Sequence, residues 1–214
     1  MLLWARSAHA RFSTKEFRPI AREGKYLTQE LVHEALPMGL FAQRYFNADP
    51  AVMITHVLGN QNYDGHVEDR RPQPGAIRYL EVTTTLKTYE DSLRMEALSR
   101  DGHVAAYGPI TAEGSRHNRR SITAPGIAVE HKVIREVHLG RVRQVVAQKL
   151  GKHYEPGTAL IVPVDDFGPF STPEDVAALD DFVSRTLLPQ LRKTNFCLLA
   201  LEGGAGLQLL YPIP

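Results

Sequence analysis

Asn62-Tyr63-Asp64-Gly65-His66-Val67-Glu68-Asp69-Arg70-Arg71-Pro72-Gln73-Pro74-Gly75-Ala76-Ile77-Arg78-Tyr79-Leu80-Glu81-Val82-Thr83-Thr84-Thr85 is the stretch that decides how this chain folds. Two strand-like runs flank Asp69–Gly75, whose prolines and glycine mark a turn, so an antiparallel hairpin is expected. The second run, Ala76–Thr85, is dense in β-formers. Alternate side chains of a strand share a face, so Asp64, His66 and Glu68 point one way and Tyr63, Gly65 and Val67 the other. Tyr79, Glu81, Thr83 and Thr85 likewise share a face. Opposed residues of a hairpin have a constant index sum. A sum of 145 sets Asp64 opposite Glu81, with Thr83 facing Asn62 and the two carboxylates about 5 Å apart. Like charges that close are unfavourable unless one is protonated or a cation sits between them. Hard oxygen ligands at this separation suit Mg²⁺ or Mn²⁺. The plainer alternative puts Glu81 on the solvent face of an edge strand and makes Asp64-Gly65 a turn or bulge.

Outward from the hairpin, helices and strands alternate. On the N-terminal side, Leu31 and Ala35 suit a helix capped by Thr28, interrupted at Pro37 and Gly39 and resuming over Leu40–Phe46. Ala51–Leu58 reads as a strand, with a helix as the alternative. On the C-terminal side, Tyr89–Ser99 has helical spacing and Asp101-Gly102 stops it. A short strand is expected over His103–Tyr107, then a surface loop over residues 108–126. Ile127–Leu150 is the longest helical candidate. Its apolar stripe changes face at Gly140, which predicts a kink or two successive helices. Leu80 and Val82, on the reverse face from Glu81, are expected to lie beneath it. Thr158–Val164 reads as a buried strand and Pro173–Leu191 as a helix with Glu174 and Asp175 in its first turn. Phe196–Leu201 and Leu207–Tyr211 read as strands about a glycine-rich hairpin turn. The expected class is α/β, a mixed central sheet flanked by helices. Residues 1–27 form an N-terminal arm and residues 28–214 a single α/β domain.

The 214 residues contain 43% hydrophobic and 23% charged residues, which excludes disorder, collagen and coiled coil as the whole answer. No apolar run approaches the ~18–20 residues that span a bilayer, so neither a membrane segment nor a signal peptide is expected. A lone cysteine, Cys197, makes no internal disulfide and no cysteine cage, which points to a cytoplasmic protein.

The acidic hairpin resembles the restriction-endonuclease-like, or PD-(D/E)XK, superfamily, whose signature is an acid on one strand followed by Glu-x-Lys on the next. Asn62-Tyr63-Asp64-Gly65 and Leu80-Glu81-Val82-Thr83 carry the likeness. So does the order of a helix, antiparallel strands with the acids, a crossover helix and a returning strand over roughly residues 28–165. The remaining helix and strands are then C-terminal additions to that core. The resemblance implies a metal-dependent nuclease with Asp64 and Glu81 as ligands and Glu34 as a third acid. It departs at the motif lysine, which is Thr83 here. A hydroxyl donates a hydrogen bond without the positive charge that positions water and offsets phosphoryl charge. Lys87 shares the face but lies about 20 Å along the strand. Lys149 or Lys152, from the long helix, is the substitute to expect. His66 is a supporting residue at most, because the nine histidines match no zinc spacing.

The net charge of +1 hides an uneven layout. Residues 115–152 carry nine Arg or Lys against two acids, and residues 155–190 carry seven acids against one Arg. A basic helix beside an acidic site suits a nucleic-acid backbone, so DNA or RNA is expected along residues 116–152, with Arg141 and Arg143 as phosphate contacts. The two regions neutralising each other, within the fold or across a homodimer, is the competing account. Asp165-Asp166 follows a buried strand and reads as solvated. Two functions emerge: a Mg²⁺- or Mn²⁺-dependent phosphodiesterase using Asp64, Glu81, Thr83 and Lys149, or a non-catalytic nuclease-like fold serving as a structural or nucleic-acid-binding module.

Overall fold

β1 (Val52–His56), β2 (Gly65–Asp69) and β3 (Tyr79–Val82) form an antiparallel meander in the computed structural model. The structure describes residues 31–59, 61–85, 89–114, 121–164, 170–203 and 206–214, together with Ser7, Ala10, Thr14 and Glu16. All but those four residues of the expected arm over residues 1–27, and the Thr28 cap, Lys87, Arg116, Arg119, Arg120 and Asp165-Asp166, lie outside the described residues. Ala51–Leu58 resolves as strand β1, not helix. The pairing of Gly65 with Leu80 and of His66 with Tyr79 is the register of constant sum read from the sequence. Asp69 organises the turn: its carboxylate accepts from the Arg71 side chain at 2.6 and 2.8 Å and from the Gly75 N–H at 2.9 Å.

The first helix begins as a π-helical turn, Leu31–Ala35, and continues as α1 (Leu36–Tyr45). The interruption expected at Pro37 and Gly39 does not occur. Pro37 stands where the π-helical turn passes into the α-helical part, at the start of the latter. Beyond β3 come α2 (Tyr89–Asp101), the hairpin β4 (Thr111–Glu113) and β5 (Ser121–Thr123), and α3 (His131–Leu150). The strand thus forms not at His103–Tyr107 but within the expected loop, where β-branched Thr111, Ile122 and Thr123 pair. Gly102, at φ 78°, stops α2 as expected. α3 is one unbroken helix. Nothing lies within 4 Å of where a Cβ on Gly140 would stand, so no neighbour forces a bend. The change of apolar face has another cause: Leu139, Val142 and Val146 pack into the core, while Val133 and Val137 are about half exposed.

β6 (Thr158–Pro163) returns parallel to β3, and α4 (Pro173–Phe182) runs on through a π-helical turn, Val183–Leu187, to a last turn, Leu188–Leu191. β7 (Phe196–Glu202) pairs parallel with β6, and β8 (Gln208–Pro212) closes the sheet antiparallel to β7. Among the described residues, the mixed sheet therefore has six strands in the order β1-β2-β3-β6-β7-β8. With four helices and the small hairpin, this is an α/β protein.

Period-two alternation in the buried central strands divides the core between the two sheet faces. Leu80, Val82, Ala159 and Ile161 pack against Met38 and Phe41 of α1. Leu160, Val162, Leu199 and Leu201 pack against Val142 and Val146 of α3 and Leu179 of α4. Leu80 and Val82 are thus buried beneath α1, not beneath the long helix as expected. The long helix covers the Glu81 face instead. Among the described residues, no helix is long and apolar enough to cross a membrane.

Candidate active site

Asp64 immediately precedes β2 and sits beside the C-terminal end of β3. Its N–H donates to the Leu80 carbonyl at 2.8 Å and its carbonyl accepts from the Val57 N–H at 2.9 Å, which fixes the backbone. Its Oδ2 accepts the Val82 N–H at 2.7 Å, so the carboxylate leans over the end of β3. Gly65 is required next to it, because a Cβ there would stand 2.5 Å from the Met38 sulfur.

Glu81 is buried on the face toward α3, far from the solvent-edge alternative. The Lys149 ammonium donates to Glu81 Oε1 at 2.5 Å, and the Tyr154 hydroxyl donates to the same oxygen at 3.4 Å. Of the two helix lysines weighed from the sequence, Lys149 is therefore the one that reaches the acid. Burial pushes the Asp64 carboxyl up to about 6, and the nearby Glu81 and Glu34 carboxylates add to the shift against the opposing pull of the Val82 N–H and Lys149. Burial and the Glu81 carboxylate likewise push the Tyr154 hydroxyl well above its ordinary value, so it stays a donor.

Glu34, in the turn leading into α1, holds His56 Nε2 at 3.2 Å. His56 is the residue paired with Gly65, so the Glu34–His56 pair stands next to Asp64. Thr83 follows Glu81 on the strand, and its N–H bonds to the Ile161 carbonyl at 2.9 Å. Its side chain forms, with Thr84 and Thr85, one wall of a groove of about 340 Å³. The opposite wall is α3, where Arg141, Gln144, Gln148 and Lys149 recur at helical spacing on one face, with Lys152 just beyond its end. Among the described residues, no three His, Cys, Asp or Glu side chains close into a ready-made metal cage. The pair Asp64 and Glu81 still fits a hard divalent cation, since Mg²⁺ binds through one or two carboxylates and keeps waters.

No protein-family model, curated protein or solved structure matches this chain.

The basic stretch divides by helix face. Arg135 and His131 donate to Asp175 at 2.9 and 2.8 Å, so part of the charge excess is spent inside the fold on the acidic segment. Arg143 turns away from the groove and lies 5.3 Å over the Phe182 ring. Arg141 faces the groove and approaches Asp91 at 3.6 Å. Pairing Arg141 with Arg143 as phosphate contacts thus fails on helix geometry, because residues two apart point to different sides. His66 lies against the Tyr79 ring, 5.7 Å away, and is exposed. Two participants escaped the sequence reading. Tyr154 carries no local pattern, and the Glu34–His56 contact joins a helix to a strand with no motif between them.

Proposed function

We propose that this chain is a metal-dependent nuclease of restriction-endonuclease-like architecture, hydrolysing a phosphodiester bond in DNA or RNA. The observation that carries the reading is Lys149 on Glu81. A lysine from α3 reaches the acid whose own strand offers only Thr83, and so returns a positive charge to the place the motif requires one. The helix–meander–helix–strand order up to β6 supports the same architecture, with α4, β7 and β8 as additions to it. Asp64 and Glu81 would hold Mg²⁺ or Mn²⁺, whereas Glu34, engaged with His56, does not complete a three-acid set with them. A bound metal would supply Lewis-acid charge and lower the pKa of a water. Lys149, held on Glu81, would offset charge on the phosphoryl oxygens, and the Thr83 hydroxyl would donate a hydrogen bond within the groove.

The rival reading is a non-catalytic module that keeps the scaffold, favoured by the directness of the Lys149–Glu81 pair, which neutralises the acid without a metal. Cleavage of labelled single- and double-stranded DNA and RNA with Mg²⁺, with Mn²⁺ and with EDTA separates the two. Metal-dependent cutting abolished by Glu81→Gln and by Lys149→Met supports the nuclease. Binding without cutting, and without heat on Mn²⁺ titration, supports the module.

A further inference from the structure

Arg141 lines two hollows at once. On one side it ends the groove that contains Lys149; on the other it borders a separate cleft of about 300 Å³ between α2 and the N-terminal half of α3. The cleft wall is apolar where Val133, Ile134 and Val137 of α3 stand, and Tyr107 faces the same space. Val133 and Val137 are 49% and 51% exposed, so each leaves apolar surface open to solvent. Glu90 and Asp91 stand at the rim, each 3.6 Å from an arginine of the same lining, Arg94 and Arg141 respectively.

We infer that this cleft receives an unpaired nucleobase from a single strand whose phosphates lie along the α3 groove. The inference rests on the nuclease reading of Asp64 and Glu81 and adds to it the form of substrate. Lys149 and Arg141 are eight residues apart on one helix, which separates them by about 12 Å along the axis, enough for more than one backbone phosphate. A strand anchored at Lys149 and Arg141 therefore presents its next nucleotide to the cleft. The chemistry changes at that boundary. Beyond Arg141 the amides give way to valines, an aromatic ring and two arginine–carboxylate pairs, a lining that offers apolar and planar surface for a base to stack on. The volume is at the small end of ligand pockets and suits a ring system, not a helix laid in a groove. Bases within a duplex are stacked and paired and cannot enter, so the cleft selects single strands.

The test measures binding by fluorescence anisotropy with the Glu81→Gln chain, so that no cutting is needed. Short single-stranded DNA and RNA, the same strands with abasic sites, and the matching duplex are compared. The expected result is tighter binding of single strands than of duplex. Val137→Glu and Tyr107→Ala should each weaken single-strand binding about tenfold while leaving abasic and duplex binding unchanged. Arg141→Ala should weaken all of them and lower the single-strand salt slope by about 0.7. Val137 is exposed enough that its substitution leaves folding intact, so loss of fold cannot mimic the effect. Abasic strands that bind as tightly as intact ones, equal losses on duplex, or no binding of any strand by a folded chain would overturn the inference. A wild-type chain that binds single strands in this pattern but cuts none with Mg²⁺ or Mn²⁺ refutes the nuclease reading alone. The DNA and RNA arms identify which sugar the track accepts.

Discussion

Lys149 Nζ lies 2.5 Å from Glu81 Oε1, an ion pair between α3 and the centre of the sheet in which the side chains are only 16% and 7% exposed. At that burial, removing one partner strands the other. Lys149→Met should cost about 3 kcal/mol of unfolding free energy. Glu81→Gln should cost less, because the freed lysine reaches solvent along its flexible stem. Urea denaturation of both single variants and the double variant measures the coupling, and additive losses would show that the pair is not a unit.

Asp64 should make stability fall as pH rises. Its carboxyl titrates near 6 in the fold against 3.8 as a free side chain, chiefly because it is buried and next because Glu81 faces it. The folded protein thus binds this proton more tightly than the unfolded chain. Its contribution is complete below pH 4 and lost as pH passes through 6, to a total of about 3 kcal/mol. Asp64→Asn keeps an acceptor for the Val82 N–H. It should match wild type at pH 4 and melt higher than wild type at pH 8. Equal melting temperatures at both pH values would contradict this.

Thr83→Lys tests whether a cation's position matters more than its source. In the Lys149→Met background, a lysine at residue 83 can extend into the same groove, and metal-dependent cleavage should return above the Lys149→Met level. If wild type cuts but the double variant does not, the charge alone does not explain the role of Lys149.

Asp175 should act as a clamp between helices. Burial alone would raise its carboxyl, but hydrogen bonds from Thr172, His131 and Arg135 outweigh it and hold the group at about 2. It also completes a capping box with Thr172 at the start of α4. Asp175→Ala should lose about 2–4 kcal/mol, from the lost cap and a stranded Arg135. The stability this carboxylate supplies is present above pH 4 and lost as pH falls toward 2. A melting temperature unchanged by the substitution at pH 7 would remove the clamp.

Much of the site was legible because it rests on strand parity. The turn residues between Asp69 and Gly75 set the hairpin, and the constant index sum then brought Asp64 to the end of β3 beside Glu81. Parity also put Leu80 and Val82 on the face away from Glu81, but it could not say which helix covers which face. That depends on how the chain crosses from β3 to β6, and the crossing put α3 over Glu81 and α1 over Leu80. Helical spacing aligned Arg141 and Lys149 on one face, and should have separated Arg143 from them. It left the choice between Lys149 and Lys152 to tertiary structure. Tyr154 and the Glu34–His56 pair come from contacts distant in sequence, where no local period exists. Val133 and Val137 belong to the apolar stripe of Ile127–Leu150, yet they line an open cleft, a placement that periodicity alone does not distinguish from core.

The parallel pairing of β3 with β6 governs when the site comes into being. The groups that meet at Glu81 are 68 and 73 residues further along the chain, and closing a loop of that length is an entropic cost met before any contact rewards it. The local β2–β3 hairpin can form early and bring Asp64 and Glu81 together, while the edge that β6 will cover stays open. During synthesis that edge, with Leu80 and Val82 beside it, is a template for pairing with another chain. Docking of β6 protects the edge as Tyr154, five residues beyond Lys149, arrives over Glu81. Protection from aggregation and assembly of the site are therefore the same folding event.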